Sequence, residues 1–388
     1  MRPTQAHIDL QRLLENYQIL CGHHTRGRLM TVLKAEGYGH GMLPAAHLLQ
    51  SAGQDLFAVA QLEEGMALRA DGIAGRILVL GAPPRGSGAE YAGHGLEMTI
   101  PSLDHLEGVA AGPAWPGALP VHLKLDTGMS RIGMSPADLP RVQKRLEALP
   151  QIRISGVYSH FVESEAMGSD RCQTQYAAFS AATAALPAHV ERHLANSAGL
   201  MRNPEFHFDY ARTGFSLWAP MAFTPPGEAP AINSRLGAVM TLCTEISFLK
   251  RMHAGDTLGY GGTYTCAEGE WVATLPIGYG DGLFRALASG GGRVAIGRRT
   301  WPIAGRVSMD QMTVSLGTGD APAALGYPAV LFGPEESGIS VAQHATWAGT
   351  IDYEIFTHLN RRIPRVYHYQ GRHSEDWRSL LAPGHPRG

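Results

Sequence analysis

The sequence predicts an α/β protein in which a (β/α)8 barrel of the TIM type is followed by a mostly β C-terminal domain. Three observations support this prediction. Between residues 28 and 215, short apolar runs alternate with segments of helical spacing, which is typical of a parallel sheet with crossover helices. Eight such runs are enough to close a barrel. After about residue 235, glycine-rich turns separate β-type runs, and a chain of 388 residues has room for two domains.

The predicted barrel domain covers residues 1–235 and takes its eight strands from the apolar runs. In chain order these runs are LMTVL (29–33), LFAVA (56–60), RILVLG (76–81), LEMTI (96–100), VHLKL (121–125), ISGVYS (154–159), VERHL (190–194) and FDYART (208–213). The segments between them have apolar residues at helical spacing, as in LEEGMALRADG (62–72) and DLPRVQKRLEALP (138–150). A helix can therefore return the chain from one parallel strand to the next.

The predicted second domain covers residues 236–388. Its apolar runs include VMTLCTEISFL (239–249), WVATLPIGYGDG (271–282) and YPAVLFG (327–333), which favour strands. The glycine clusters GYGGTY (259–264) and SGGGRV (289–294) match a phosphate-binding loop neither in composition nor in position. We therefore expect both clusters to form turns between strands.

Composition excludes several classes of function. A formal net charge of −2 gives no electrostatic basis for binding nucleic acid or an anionic membrane. No apolar stretch approaches the roughly 18 residues of a membrane span, and the N-terminal residues lack the pattern of a secretory signal. The four cysteines are scattered without a C-x-x-C pair, which predicts neither a metal site nor a disulfide. We expect a cytoplasmic protein.

Polar residues gather where the predicted barrel strands end. They follow or close the first, fifth, sixth, seventh and eighth strands: Lys34 and Tyr38; Lys124, Asp126 and Arg131; His160; Asn196 and Ser197; Arg212 and Gly214. The carboxyl ends of parallel barrel strands meet at one face, where loops and helix N-termini converge. A ring of polar residues at that face predicts an active site.

Lys34 is the central residue of this prediction. It lies directly after an apolar strand, in VLKAEGYGHG, where an amine loses hydration. One interpretation is that the amine forms a Schiff base with an aldehyde cofactor. The other is that its aliphatic stem packs while its charged end reaches water. The nearby His40 is interpreted as a hydrogen-bonding turn residue.

Nine segments together resemble one known family. In chain order they are VLKAEGYGHG, LKLDTGMSRIGM, YSHF, NSAG, ARTGFSL, GYGGTYT, PIGYGDG, GRVSMDQ and IDYEI, which span nearly the whole chain. They closely resemble bacterial alanine racemases, which are pyridoxal-phosphate enzymes of fold type III. The resemblance implies a cofactor-bearing barrel, a β domain and a head-to-tail homodimer with shared active sites. It also implies racemisation of L-alanine and D-alanine, which provides D-alanine for cell-wall peptidoglycan.

The resemblance implies two acid/base groups. Lys34 matches the lysine that holds pyridoxal 5′-phosphate covalently and handles the proton on the D side. Tyr260, the first tyrosine of GYGGTYT, matches the second base, which reaches the site from the partner subunit and handles the proton on the L side. Racemisation needs such a pair because a proton leaves one face of Cα and another arrives on the opposite face.

The remaining site residues are also implied by position in the family. Arg212 matches the arginine that faces the cofactor's pyridine nitrogen, and His160 matches the histidine bonded to that arginine. The expected phosphate contacts are Tyr38, Ser197, Gly214, Phe215 and Tyr353. The expected substrate contacts are Arg131 and Met309, and the expected access corridor is formed by Glu165, Tyr279, Arg285, Arg306 and Ile351. Lys124 matches a lysine that is often carbamylated; pairing with a carboxylate is the alternative.

Several residues depart from the family pattern. Ser308 replaces a common cysteine, Glu36 replaces Asn or Asp, Glu165 replaces Asp, and LWAP replaces L-Y-G after the eighth strand. None affects a proton-transfer group, but they leave serine or another small amino acid open as a substrate. A decarboxylase of the same barrel class and a non-catalytic cofactor-binding protein are the other readings. Arg212 and Tyr260 disfavour the decarboxylase, and the complete β domain disfavours the non-catalytic protein.

Overall fold

The computed structural model describes residues 2–24, 27–225 and 227–381. The chain forms two compact units. The barrel unit consists of Leu14–Gly37 and Met42–Leu236, and the sheet unit consists of Met1–Leu13, Tyr38–Gly41 and Gly237–Gly388. Within the described residues, no helix has the length and apolar character that crossing a membrane requires.

The first strand, β1 (Gln5–Asp9), belongs to the sheet unit. It pairs with two strands of the C-terminal region, antiparallel on one side and parallel on the other. Burial alternates along β1, as expected for a strand in a sheet: Ala6 and Ile8 are fully buried, whereas the other three residues are not. The predicted assignment of residues 1–235 to the barrel is therefore wrong for the first thirteen residues, and residues 38–41 also lie in the sheet unit.

The barrel unit contains eight parallel strands that close on themselves, as predicted. They are β2 (Arg28–Val32), β3 (Leu56–Val59), β4 (Arg76–Val79), β5 (Glu97–Ile100), β6 (Leu119–Lys124), β7 (Ile152–Tyr158), β8 (Glu191–His193) and β9 (Tyr210–Thr213). Every residue of β3 and β5 is buried, because helices cover one face and the barrel interior covers the other. Pairing of β2 with β9 closes the barrel.

Eight α-helices and one short turn with left-handed backbone angles, α2, are associated with the barrel strands in the described sequence. They are α1 (Leu10–His23), α2 (Lys34–Tyr38), α3 (Met42–Ser51), α4 (Leu62–Ala70), α5 (Gly88–Gly93), α6 (Leu103–Ala110), α7 (Leu139–Leu146), α8 (Arg171–Thr183) and α9 (Ser197–Arg202). Side-chain caps fix several of their starts. Asn196 accepts a hydrogen bond from the Gly199 amide at 2.9 Å, which fixes the start of α9 directly after β8.

The sheet unit is mostly β, as predicted. Its strands after β1 are β10 (Met240–Glu245), β11 (Phe248–Arg251), β12 (Thr257–Leu258), β13 (Tyr264–Thr265), β14 (Glu270–Leu275), β15 (Arg293–Ile296), β16 (Arg299–Pro302), β17 (Met312–Thr318), β18 (Pro328–Phe332), β19 (Arg365–Tyr369) and β20 (Arg372–Ser374). Its helices are α10 (Val341–Ala348), α11 (Asp352–His358) and α12 (Trp377–Leu381).

The strands of the sheet unit form three sheets in the described residues. The largest has seven strands in the order β16-β15-β18-β10-β1-β19-β20, and the others are β11-β14-β17 and the hairpin β12-β13. The GYGGTY cluster forms the turn of this hairpin, and the SGGGRV cluster leads into β15. Both glycine clusters are therefore turn segments, as the sequence indicated.

Candidate active site

The polar residues predicted at strand ends do lie at one end of the barrel. Lys124 is the last residue of β6, His160 follows β7, Ser197 begins α9 after β8, and Arg212 lies near the end of β9. Their charges influence one another, since Lys34, Lys124 and the two arginines Arg131 and Arg212 all act on His160. The carboxyl-terminal face of the barrel is thus a concentrated cationic site.

Lys34 is carried on a backbone turn of unusual hand. The φ angles are 52° at Ala35, 55° at Glu36, 59° at Gly37 and 54° at Tyr38. Each non-glycine residue in this left-handed region costs about 1–2 kcal/mol. Gly37 suits the turn for two reasons. Glycine adopts a positive φ angle without strain, and a Cβ atom at this position would lie 3.3 Å from the indole of Trp218. Such concentrated strain next to a buried strand is typical of a functional site.

Glu64 holds this turn in place. One carboxylate oxygen accepts a hydrogen bond from the Ala35 amide at 2.6 Å. The other oxygen accepts from the amides of Ala60 at 2.7 Å and Gln61 at 3.0 Å, which follow the neighbouring strand β3. The carboxylate therefore ties the lysine turn to the start of α4. In the sequence Glu64 is part of a predicted helix, and a glutamate three positions after the N-cap is a capping signal.

The surroundings of the Lys34 amine favour its neutral form. Burial lowers its pKa below the ordinary lysine value, and the charges of Arg131 and Arg212 lower it further. The Glu64 charge acts in the opposite direction. Because the uncharged amine is the nucleophile and the base, this environment favours covalent or proton-transfer chemistry over a simple surface role.

Arg212 is buried and its orientation is fixed by several acceptors. Its guanidinium donates to the carbonyls of Ser159 at 2.7 Å, Leu194 at 3.0 Å and His193 at 3.1 Å. It also donates to the ring nitrogens of His193 at 2.9 Å and His160 at 3.3 Å. Burial lowers the pKa of Arg212 to about 10, so the group still carries its charge at neutral pH. The arginine can therefore only donate to whatever it faces.

His160 accepts rather than donates in this contact. Burial holds its pKa well below the usual range, and the charge of Arg212 lowers the pKa further. The ring is therefore neutral, and its Nδ1 atom has a lone pair for the Arg212 N–H. The predicted contact between these two residues is present.

Lys124 lies under an aromatic ring rather than in an ion pair. Its amine donates to the Leu125 carbonyl at 2.7 Å and lies 5.3 Å from the ring centre of Tyr158. The Arg212 guanidinium lies 5.2 Å from the same ring. Burial, followed by the charge of Arg212, lowers the pKa of Lys124 to about 7. No ion pair among the described residues includes Lys124, which removes the support for the carboxylate-pairing alternative.

Tyr158 is a site residue that sequence reasoning did not single out. Its hydroxyl shares a hydrogen bond with Thr99 at 2.9 Å and donates to the Leu80 carbonyl at 3.2 Å, so the ring is held from two neighbouring strands. Lys124 and Arg212 both lie over this ring. Its place in YSHF, one residue before the end of the strand run, was the available signal.

Ser197 organises the segment after β9. Its hydroxyl oxygen accepts from the Gly214 amide at 3.0 Å and from the Ser216 hydroxyl at 2.9 Å. Both Ser197 and Phe215 are buried. The structure thus brings together three of the predicted phosphate contacts, Ser197, Gly214 and Phe215, in one polar cradle.

The other two predicted phosphate contacts lie in the sheet unit. The rings of Tyr38 and Tyr353 have centroids 6.1 Å apart, and burial raises the pKa of Tyr38. His40 is fully buried, its Nδ1 atom bonds to the Tyr38 carbonyl at 2.9 Å, and its ring packs edge-on against Phe356. His40 is therefore a hydrogen-bonding turn residue, as expected.

Tyr260 lies at the tip of the β12–β13 hairpin. The flanking glycines have left-handed φ angles, 67° at Gly259 and 77° at Gly261, which glycine adopts without cost. The Tyr260 side chain is 67% exposed. The second tyrosine of this motif differs, since the Tyr264 hydroxyl donates to Glu270 at 2.6 Å. The available phenol of GYGGTYT is therefore Tyr260.

Tyr260 and Met309 line the same open concavity, which has a volume of about 550 Å³. Its other lining residues are Gly259, Ser308, Asp310 and Gln311. The predicted corridor residues of this unit, Tyr279, Arg285, Arg306 and Ile351, are all exposed, whereas Glu165 of the barrel unit is half-buried. Tyr260, Tyr279, Met309 and Ile351 are large side chains of the sheet unit that are exposed.

Two family profiles together match most of the chain. Residues 8–220 match the profile described as "Alanine racemase, N-terminal domain", and residues 239–367 match the one described as "Alanine racemase, C-terminal domain". An alanine racemase from Symbiobacterium thermophilum is 38% identical over 95% of this chain and 97% of its own. One from Carboxydothermus hydrogenoformans is 35% identical over 95% of this chain and 100% of its own.

Solved structures are similar over the same extent. The alanine racemase of D-cycloserine-producing Streptomyces lavendulae has a TM-score of 0.88 and 34% identity, covering 95% of this chain and 98% of its own. The Bacillus anthracis alanine racemase, solved with bound L-Ala-P, has a TM-score of 0.86 and 29% identity, covering 96% and 97%. Both domains are therefore present in the known order.

Proposed function

Because this chain belongs to the alanine racemase family and is therefore an isomerase that acts on alanine, we propose that it uses pyridoxal 5′-phosphate and two acid/base groups, Lys34 and Tyr260. The observation that carries the proposal is the Lys34 site: a half-buried amine with a lowered pKa, on a strained turn, beside two guanidinium groups. A lysine that only packed its stem would need neither the strain nor the cationic neighbours.

The barrel residues fit this cofactor. The donor set suits its two ends, because Lys34 offers an amine, Arg212 offers a donor-only contact, and the Ser197 cradle offers hydroxyl and amide groups. When bound, the cofactor supplies an aldehyde for the amine and a ring that draws electrons from the substrate Cα. Ser197, Gly214, Phe215, Tyr38 and Tyr353 would hold the phosphate, and His160 would support Arg212.

The two bases would act on opposite faces of the substrate. Lys34 would move the proton on the D side through Nζ, and Tyr260 would move the proton on the L side through its hydroxyl. The exposed position of Tyr260 supports a head-to-tail homodimer in which the tyrosine completes the site of the second copy. In that arrangement each active site needs residues from both subunits.

Arg212 would direct the reaction towards racemisation. A guanidinium has donors only, so Arg212 would donate to the ring nitrogen of the cofactor and would keep it free of a proton. An unprotonated ring would draw electrons from Cα less strongly, which would favour racemisation over decarboxylation. A decarboxylase of this barrel class has a carboxylate in that place, so the buried Arg212 argues against that activity.

The substrate contacts and the lysine modification are part of the same proposal. Arg131 and Met309 would contact the substrate, and the access corridor would be formed by Glu165, Tyr279, Arg285, Arg306 and Ile351. Carbamylation of Lys124 is supported by its pKa of about 7, because only the neutral amine reacts with carbon dioxide. The resulting anion would orient Arg131.

The physiological role that fits this chemistry is supply of D-alanine for peptidoglycan in the cytoplasm. The test of the proposed function is circular dichroism of L-alanine and, separately, D-alanine incubated with the cofactor-loaded protein. We expect the optical signal of either enantiomer to decay to zero with no release of carbon dioxide. Serine tested in parallel would show whether the corridor departures widen substrate choice. Carbon dioxide release, or an unchanged signal from alanine, would overturn the proposal.

A further inference from the structure

A continuous chain of polar side chains runs through the barrel interior from Arg212. The Arg212 guanidinium bonds to Nδ1 of His193 at 2.9 Å, and Nε2 of His193 bonds to Nδ1 of His122 at 2.8 Å. Nε2 of His122 then bonds to the carboxylate of Glu97 at 2.7 Å. Both histidines are fully buried, and Glu97 is 5% exposed. Among these four hydrogen-bonded residues, only Arg212 has a role in the proposed function.

The chain connects the two ends of the barrel. Arg212 and His193 lie at the carboxyl ends of β9 and β8, and His122 lies in the middle of β6. Glu97 is the first residue of β5, at the opposite end. Its carboxylate is held there by Arg76, the first residue of β4, in a two-point ion pair.

The barrel is built to admit this chain. A Cβ atom at Gly156 of β7 would lie 2.4 Å from Nδ1 of His122, so the absence of a side chain there makes room for the imidazole. The ring of Tyr158 stacks on His193 at 4.7 Å with an interplanar angle of 9°. Polar rings in a barrel core that packs like a crystal need such matched space.

The two ends of the chain determine the position of every proton within it. Arg212 can only donate, so Nδ1 of His193 must accept and its proton must be on Nε2. His193 then donates to Nδ1 of His122, whose proton must also be on Nε2. His122 donates in turn to Glu97. Both rings are therefore neutral, and all three hydrogen bonds point in one direction.

The charges at each end support this direction. Burial alone would raise the pKa of Glu97, but hydrogen bonds from His122 and Arg76 lower it to about 2. Glu97, the final acceptor, is therefore a carboxylate. Burial, and then the charge of Arg212, holds the pKa of His193 well below the usual range. Arg76 also bonds to Glu191 at 2.8 Å, which anchors the far end to a second carboxylate.

We propose that Glu97, His122 and His193 are positioning residues that fix the orientation and hydrogen-bonding direction of Arg212 from the opposite end of the barrel. The carboxylate polarises the two imidazoles in series, and the lone pair on Nδ1 of His193 becomes a stronger acceptor for the guanidinium. The consequence for racemisation rests on the proposed contact between Arg212 and the cofactor. The proton positions in the two histidines do not depend on that contact.

The first test is nitrogen NMR of the imidazole groups in the cofactor-loaded wild-type protein between about pH 6 and pH 9, where free histidine titrates or has just titrated. Signals of His122 and His193 are assigned by their loss in His122→Gln and His193→Gln. We expect both rings to be neutral with the proton on Nε2 throughout. A proton on Nδ1 of either ring, or a charged ring, would overturn the proposal even if racemisation itself were confirmed.

The second test compares Glu97→Gln with Glu107→Gln. Glu107 is a matched control because it also forms a two-point ion pair with an arginine, Arg145, but is half-exposed and leads to no histidine of the chain. We expect Glu97→Gln to shift the nitrogen signals of His193 as well as His122. We also expect it to lower kcat by about tenfold with little change in KM, as for outer-shell partners of metal-bound histidines.

The control variant should change neither quantity. A folded Glu97→Gln protein with unchanged His193 signals and unchanged kcat would show that the network only packs the barrel, which overturns the proposal. If Glu97→Gln does not fold, the wild-type NMR result decides alone. A failure of the racemase assay with the expected proton positions would contradict the proposed function and leave the positioning chain intact.

Discussion

The barrel unit and the sheet unit present their proposed acid/base groups in different ways. Lys34 is half-buried, and burial together with two arginines lowers its pKa within the barrel unit itself. Tyr260 lies at a hairpin tip of the sheet unit with two thirds of its surface exposed. The difference teaches that the amine is enclosed by its own unit, whereas the phenol would be enclosed only by the second copy of the proposed dimer.

The two turns also differ in how the backbone reaches its conformation. The lysine turn forces Ala35, Glu36 and Tyr38 into the left-handed region and is held by the carboxylate of Glu64. The tyrosine turn uses Gly259 and Gly261, which adopt this region without strain. The amine is therefore fixed at a cost in free energy of folding, whereas the phenol is on a permissive hairpin.

Removing the barrel-borne amine should have the largest effect. We expect Lys34→Ala to lower kcat/KM by about 10⁴-fold or more, because covalent attachment and one proton transfer are lost together. Mass spectrometry after borohydride reduction should find no cofactor on the chain. Lys144→Ala, which changes an exposed lysine of α7, should match the wild type. A cofactor adduct retained by Lys34→Ala would contradict the assignment.

Removing the phenol should give a smaller and asymmetric effect. We expect Tyr260→Phe to slow proton removal from L-alanine by about 10²–10⁴-fold, the range for a single acid/base group. Cofactor content should be unchanged, because the phenylalanine ring preserves the hairpin. Tyr264→Phe is the matched control, since that hydroxyl is bonded to Glu270 and should affect stability more than turnover. Equal effects of the two substitutions would reject Tyr260 as the second base.

Mixing the two inactive proteins tests whether a site is shared. If the dimer is head-to-tail, a hybrid of Lys34→Ala and Tyr260→Phe subunits has one intact site and one doubly altered site. Random exchange makes half of the dimers hybrid, so we expect recovery of about one quarter of the wild-type activity. The measurement is alanine racemisation after subunit exchange. No recovery, with exchange verified by mass spectrometry, would mean that each chain builds its site alone.

The fold could be predicted from the sequence wherever local pattern decides the structure. All eight barrel strands were found, because each is a short apolar run followed by helical spacing. Strand β1 was missed because its neighbours β10 and β19 lie more than 200 residues away in the chain. Local alternation in QAHID indicates a strand but does not indicate which sheet it joins.

The site shows the same limit. Lys34, Arg212 and His160 could be found because they follow strand runs and match family motifs. Glu64, His122 and Glu97 could not, because their roles depend on neighbours in other strands. Their proton positions follow only when donors and acceptors are placed in three dimensions. Tyr260 was identified by family position, and its 67% exposure is a property that no sequence pattern shows.

Weakening the hydrogen bonds of the Glu64 carboxylate should make the lysine turn less rigidly held and thus more like the tyrosine hairpin. We expect Glu64→Gln to lower the free energy of unfolding by about 1–3 kcal/mol, because three backbone amides lose a charged acceptor. Displacement of Lys34 should reduce kcat by about tenfold to a hundredfold. Glu63→Gln, at the adjacent exposed position of α4, should change neither quantity. An unchanged kcat in a destabilised Glu64→Gln protein would show that these hydrogen bonds serve folding alone.

The smallest expected effect is a pH-dependent change in the carbamylation of Lys124, the second lysine at the carboxyl-terminal end of the barrel. The pKa of Lys124 is lowered to about 7, so its amine is mostly protonated below that pH and mostly neutral above it. Carbamate forms only from the neutral amine, so we expect its occupancy to rise as the pH increases through about 7. Carbon NMR with labelled bicarbonate measures this directly, and Lys124→Gln should lack the signal. Occupancy that falls as the pH rises through this range would mean that the neutral amine does not control the modification.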